Sequence, residues 1–442
     1  MKATRRGFLG VLGGLAATPA LASRKKAAAP LPRTEVDVVV IGAGAAGIAA
    51  ARRLLAAKRS VLVVEARDRV GGRAETDTAL FNRPVDLGAH WLHDAANNSL
   101  VALARSAGIV TQTAPDGRLD MGGRFATEAE LTAYDAALDA ATQAIEAAAA
   151  EGRDVAAAGV VPDGGDWRET VAFSLGPYDS GVDLDDLSTV DFANGAEGED
   201  FFATGGYGAL VAGLAEGLPI TLSTLVTTID WSGKGVRIDS AAGIIEAKAA
   251  IITASTNALM AERIVFKPAL PDPTLSALAA LPLATYNHII LEIPGDPLGF
   301  GPDAEITFRI EDPNALGLLA NIGGGPLWYC DVAGRFGKEL EEESDLVAGD
   351  WAKDFLARRF GRALVPPSVR VAVTHWGLEP TILGAFSAAV PGGAARRLDL
   401  ARPLGDRLYF AGEATSVTAF GTVHGAWLEG ERAAAAVLAR LA

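Results

Sequence analysis

Three glycines, Gly42, Gly44 and Gly47, follow directly on the run Val36-Asp37-Val38-Val39-Val40-Ile41. Glycines at this spacing after a buried strand bind the pyrophosphate of a dinucleotide. Gly42 permits the tight turn, Gly44 lets the backbone approach the phosphates, and Gly47 lets the next helix pack on the strand. The free N–H groups and positive end of that helix meet the negative charge. An Ala-rich helix from about Ala45 to Lys58 follows, then a second strand, Val61-Leu62-Val63-Val64, closing at Glu65. Glu65 lies 23 residues past Gly42, where an acid accepts hydrogen bonds from ribose hydroxyls. GxGxxG alone is a weak signal. Strand, glycines, helix, second strand and acid in that order define a dinucleotide-binding unit.

The rest of the composition narrows the chemistry. Cys330 is the only cysteine, so the chain can form neither an intramolecular disulfide nor a cysteine metal cluster. The five histidines, His90, His93, His288, His375 and His424, show no metal-ligand spacing, and no metal is expected. A formal charge of −15 repels nucleic acid; it suits a cationic small molecule or serves solubility alone. Half of the 442 residues are hydrophobic, enough for a large core in more than one domain.

Thr4-Arg5-Arg6-Gly7-Phe8-Leu9-Gly10 opens an apolar run ending near Leu21, too short to span a bilayer, and Ala20-Leu21-Ala22 has the small-x-small form of a signal-peptidase site. The segment resembles a bacterial twin-arginine (Tat) export signal. It implies a periplasmic or secreted protein that meets the Tat translocase during export and keeps no stable membrane anchor.

The segment Glu65-Ala66-Arg67-Asp68-Arg69-Val70-Gly71-Gly72-Arg73 resembles the extended motif of the flavin-containing amine oxidase family, and the resemblance covers roughly residues 34–440. It implies FAD. Arg67 and Gly72 would lie along the cofactor, with Arg73 near the pyrophosphate. Gly88, Ala89, His90 and Trp91, within Val85–His93, would carry the chain beneath the isoalloxazine ring. Val226 would contact adenine, Gly412 and Glu413 the ribityl chain. The helix start at Thr422 and Val423, in Gly421-Thr422-Val423-His424-Gly425-Ala426, would face flavin N1 and O2. Ala385 stands where animal monoamine oxidases bond FAD through cysteine, implying non-covalent FAD.

The resemblance also implies the substrate wall. Phe386 would stand at one side of the amine and Thr422 at the other, a half-cage as in the polyamine oxidase branch. Trp376 would pack at the flavin edge, and His93 at a position that contacts substrate or supports the flavin. His288 takes the place of a lysine that bridges through water to flavin N5; it would position the water, act as a base, or alter reoxidation by oxygen. Glu197, Glu199 and Asp200 are either a subsite for a distal ammonium or a solvated loop.

The expected architecture is α/β (α+β overall): a Rossmann-like FAD-binding domain and a substrate domain built on a mixed β-sheet flanked by helices. Segments 34–100, 201–284 and 391–442 are assigned to the first, and 101–200 and 285–390 to the second, after a signal at 1–22 and a linker at 23–33. Strands are expected at Tyr286 to Ile293 and Val369 to Thr374, and helical spacing of Leu131, Tyr134, Leu138, Ala141 and Ile145 predicts a helix within 127–158. The expected function is oxidation of a polyamine or other amine, with oxygen or another acceptor taking the electrons. An amine dehydrogenase or flavin desaturase of the same fold, and a flavoprotein without turnover, are the alternatives.

Overall fold

The computed structural model describes residues 33–442, apart from 114 and 116. The expected signal and most of the linker lie outside the described residues. Arg33, assigned to the linker, instead opens the first strand, β1 (Arg33–Ile41).

β1 is central to an eight-stranded sheet because it is apolar on both faces. Val38 and Val40 pack against Ala46, Ala50 and Leu54 of helix α1 (Ala45–Ala56) and against Ala433 and Val437 of the C-terminal helix, Val423–Leu441. Val39 and Ile41 point into a second core with Ile252, Leu278 and Phe410. Burial on both sides is what a parallel strand between covering layers requires. β1 pairs in parallel with β2 (Val61–Val64) on one side and with Gly243–Ile252 on the other. The end of the latter strand also pairs in parallel with Leu408–Phe410, which brings Gly412 and Glu413 to the same edge as the glycine loop. Helix α1 stops two residues before the expected Lys58, which adopts a positive φ of 58°.

A second sheet of six strands runs in the order Val371–Val373, Tyr286–Glu292, Leu327–Ala333, Gly317–Ala320, Ala304–Phe308 and Arg118–Asp120. It is mixed: Arg118–Asp120 pairs in parallel with its neighbour and the other pairs are antiparallel. Side chains alternate strictly. Ile289, Leu291, Trp328 and Cys330 enter one core with Ala352, Phe355 and Leu356 of helix Asp345–Phe360. Their neighbours Tyr286, His288, Tyr329 and Asp331 face the other way. The two expected strands on this sheet are present but one to three residues shorter than their apolar runs.

The expected helix within 127–158 spans Glu128–Ala150, opened by a Thr127–Glu130 capping box and ended at Gly152 with a positive φ of 74°. Tyr134, Ala141 and Ile145 are buried as predicted, whereas Leu131 is exposed in the first turn. Among the described residues no helix is long and apolar enough to cross a membrane.

Candidate active site

A cavity of about 760 Å³ runs between the two sheets and touches the ends of both. Gly42 and Gly44 stand at one end with Glu65, Arg67, Gly72 and Arg73. Gly42 has φ of 105°, which a side chain would resist, and a Cβ there would also strike Thr253 Oγ1. Gly47 does not line the cavity. A Cβ on it would collide with the Gly42 carbonyl oxygen, so its part is to let α1 close on the loop, not to touch a ligand.

This end fits a flavin dinucleotide. The first turn of α1 carries no acidic residue to neutralise its positive end. Gly44 and Gly72 face each other with only backbone between them, leaving a side-chain-free cradle. Arg67 Nη1 is buried and has no partner among the described residues, as expected of a donor waiting for an anion. Glu65 accepts from the Ala43 N–H at 2.7 Å and the Arg67 N–H at 2.9 Å, one donor per oxygen, which leaves a lone pair on each for a ribose hydroxyl. Thr224, Leu225 and Val226 line the cavity nearby, Val226 at the start of strand Val226–Asp230.

Glu413 is more heavily engaged than a plain ribityl ligand. Its carboxylate accepts from Arg73 Nη1 at 2.8 Å, Ser387 Oγ at 2.6 Å and the Gly421 N–H at 2.9 Å. Burial pushes its pKa up, but the guanidinium groups of Arg73 and Arg397, with Ser387 and Gly421, outweigh this and hold it below the usual carboxylate range. Behind it, the fully buried Arg397 pairs bidentately with Asp191 at 2.7 Å and donates to Ser387 Oγ. Glu413 therefore acts on the wall through the groups it holds together, Arg73, Ser387 and Gly421.

The middle of the cavity is walled by Gly88, Ala89, His90 and Trp91. His90 Nδ1 is tied to the Asp86 carboxylate at 3.0 Å, which also accepts the Tyr207 N–H, so the segment is anchored from below. Trp376 donates its Nε1–H to the Leu87 carbonyl at 2.8 Å and packs on Gly88. Val423 and Thr422 line the opposite part. Thr422 is the N-cap of the C-terminal helix: its Oγ1 accepts the Gly425 N–H at 3.0 Å and donates to the Ala419 carbonyl at 2.7 Å. With that hydroxyl occupied, Thr422 serves first to set the helix start, and the half-cage role expected of it is confined to its methyl face.

At the far end stand the residues that the substrate reading singled out, with others that it missed. Phe386 lines the cavity beside Tyr286, ring centroids 5.9 Å apart. His93 stacks on Trp91 and hydrogen-bonds Asp200 Oδ2 at 3.0 Å. Of the acidic trio, Glu197 and Asp200 face the cavity, while Glu199 accepts the Ala95 N–H on its backbone carbonyl. The structure adds Asp179 and Glu305 to the same wall. Asp179 is open to the cavity yet surrounded by protein, and this burial pushes its pKa up to about 6 although His93 pulls the other way. Burial likewise raises Glu305, against a hydrogen bond from Tyr178 Oη at 2.8 Å.

His288 lies on the same wall, with Nδ1 2.5 Å from Asp331 Oδ1 and Nε2 3.0 Å from the Gly88 carbonyl oxygen. Asp331 was not anticipated, although it is the one acid in the apolar strand Leu-Trp-Tyr-Cys-Asp-Val-Ala and pairs directly with His288 in register. Tyr286 was equally readable, two residues before His288 and so on its face of the strand. Asp179 had no such signal: it follows a π-helical turn, Ser174–Tyr178, containing Pro177.

A cavity joining a glycine-lined dinucleotide cradle to an aromatic and acidic wall defines a flavin enzyme acting on amines. The family model for flavin containing amine oxidoreductase matches residues 45–438. Polyamine oxidase 5 of Oryza sativa subsp. japonica is 32% identical over 435 residues, covering 89% of this chain and 86% of that protein. Lysine-specific histone demethylase 1 homolog 2 of Arabidopsis thaliana is 28% identical, with 92% of this chain covering 59% of its length. Among solved structures, wild-type putrescine oxidase bound to putrescine superposes with a TM-score of 0.79 at 21% identity, covering 92% of this chain and all of that one. The chain belongs to the flavin containing amine oxidoreductase family and is an FAD-dependent amine oxidoreductase.

Proposed function

We propose that this enzyme oxidises polyamines, holding the reacting nitrogen at Phe386 and Tyr286 and a distal ammonium at the acidic wall. The observation that carries this reading is Asp179 and Glu305, two carboxyls raised by burial in one cavity with Glu197 and Asp200. Carboxylates crowded together without a cation are costly, and a bound ammonium relieves that cost. Relatives named as polyamine oxidases support the same substrate class. The flavin supplies the acceptor for a hydride equivalent from the carbon beside nitrogen, and the imine formed hydrolyses to aldehyde and amine. The aromatic pair favours the neutral amine that this transfer requires, and the carboxylates keep the remaining charges away from it.

The FAD is held without a covalent bond, a reading supported by Ala385 at the position where the resemblance places a linking cysteine and by the burial of Cys330 in the core behind the substrate sheet. Arg5-Arg6, the apolar run and Ala20-Leu21-Ala22 support export by the Tat translocase to the periplasm or beyond. A dehydrogenase using an acceptor other than oxygen is the second reading, favoured by His288 at the place of the expected lysine.

The test is anaerobic mixing of the yellow holoprotein with spermidine, putrescine, a benzylic amine and a cyclic amine. Bleaching by the first two supports the proposal; bleaching by none of the four, or by the benzylic amine alone, overturns it. Peroxide release in air then separates oxidase from dehydrogenase, and flavin released by acid precipitation establishes non-covalent binding.

A further inference from the structure

We propose that His288 is a positioning residue held as an imidazolium, which ties the Gly88 segment of the cofactor wall to the substrate sheet, turns the positive end of a His288–Asp331 pair toward the cavity, and does not take the amine's proton. The inference rests on the reading of this cavity as the flavin and amine site.

The hydrogen bonds determine the protonation. Gly88 O is a carbonyl oxygen and can only accept, so the Nε2 atom 3.0 Å away carries a proton. On the other side, Asp331 Oδ1 lies 2.5 Å from Nδ1, and its second oxygen accepts from Tyr286 Oη at 3.1 Å. Two lone pairs cannot face each other at that distance, so one proton lies between Nδ1 and Oδ1, and imidazole, the stronger base (about 6.5 against about 3.9 for a free Asp carboxyl), holds it on the ring. An imidazole with both nitrogens donating has no lone pair left for an incoming ammonium.

The surroundings hold this state. His288 and Asp331 are both buried and face each other in register across paired strands. Tyr329, from the strand of Asp331, stacks on the ring at 4.5 Å. Thr374 Oγ1 accepts the His288 backbone N–H at 2.8 Å, and from the opposite wall the ring faces Gly88 O and, further off, the Asp86 carboxylate. Burial pulls the imidazole down, but Asp331, the Gly88 carbonyl and Asp86 together leave its pKa above the usual histidine value. Gly88 is held by its neighbours, since Trp376 donates to the Leu87 carbonyl and the Ala89 N–H donates to the Arg73 carbonyl, and the space around it admits no side chain. The segment is thus held from two sides, by Trp376 and by His288, and the Asp331 carboxylate favours the charge beside it. A fixed positive end at that wall favours the extra negative charge of a reduced flavin.

The experiment uses the FAD-loaded protein labelled with ¹⁵N-histidine, with His288→Gln to assign the ring. Gln keeps a donor for Gly88 and removes the charge. Both ring nitrogens of His288 should be protonated at pH 7; a bare nitrogen at that pH overturns the proposal. In His288→Gln the two-electron reduction of the flavin should become about tenfold less favourable, near 30 mV by potentiometry. An unchanged potential overturns the proposal. The pH limbs of anaerobic flavin reduction by spermidine should persist in the variant; loss of a limb marks His288 as the base and also overturns it. Should His288→Gln fail to fold, Asp331→Asn serves instead: the ring's proton affinity should fall at least tenfold, and an unaltered titration contradicts the account. A flavin that no polyamine bleaches would defeat the substrate reading, while the ring titration and the potential would still decide this one.

Discussion

On its cofactor side the cavity is walled by backbone. The glycine loop, the cradle of Gly44 and Gly72, and the N-terminus of α1 offer N–H groups and empty space, and the side chains present mostly brace other protein groups. On its substrate side it is walled by side chains. Tyr286, His288 and Glu305 project from two strands of one sheet, Asp179 follows a π-helical turn and Phe386 comes from a loop. The difference is one of tolerance. A backbone wall binds what every flavin dinucleotide shares and fails as a unit when its bracing is lost. A side-chain wall selects among substrates, and its members can be changed singly with graded effects.

The largest effect should come from the bracing. Glu413→Ala leaves Arg73 without its carboxylate and Ser387 Oγ and the Gly421 N–H without their acceptor, and stranding one partner of a largely buried pair costs about 3 kcal/mol. The purified variant should be nearly colourless, read as flavin absorbance per mole of protein; full flavin content would show that the cofactor wall does not depend on this charge. Next is Gly47→Val, in which the added side chain meets the Gly42 carbonyl. Overpacking of this kind costs roughly 1–3 kcal/mol, and the melting temperature should fall together with flavin retention. An unchanged melt would mean that α1 can back away from the loop.

The substrate wall should respond differently. Glu305→Gln should keep its flavin and raise KM for spermidine about tenfold, roughly 1.4 kcal/mol, with a smaller fall in kcat. Loss of flavin instead would erase the contrast between the two walls. The smallest effect concerns pH. Asp179, with a pKa raised by burial to about 6, gains its negative charge as pH rises through that value, so KM for spermidine should improve across the same range. In Asp179→Asn that dependence should disappear, a change of about threefold at pH 7 by the electrostatics of a partly solvated pair. A limb unaltered in the variant assigns it to another group.

The same division explains what was legible in the sequence. Gly42 through Glu65 could be read because strand, turn, helix and acid are contiguous and each has a local physical requirement. Glu413 and the final helix start were found through the resemblance, but the saturation of the Glu413 carboxylate by Arg73, Ser387 and Gly421 depends on three separate loops, that of Arg73 being 340 residues away. On the substrate side, Phe386 and His93 reach the cavity as expected. The partner of His288 depends on strand register, which the alternation within Tyr286–Glu292 alone does not provide. Thr422 was read for the face it shows the cavity; its hydroxyl turned out to cap a helix. Asp179 was illegible because an irregular turn, not a periodic element, aims it.

The most direct test of the central claim, that one cavity joins a flavin wall to a wall that reads a second positive charge, is stopped-flow reduction of the holoprotein under anaerobic conditions by spermidine and by n-butylamine. The account predicts that both can reach the aromatic pair but that spermidine half-saturates the reduction rate at a concentration at least tenfold lower. Equal half-saturation by the two amines would contradict it.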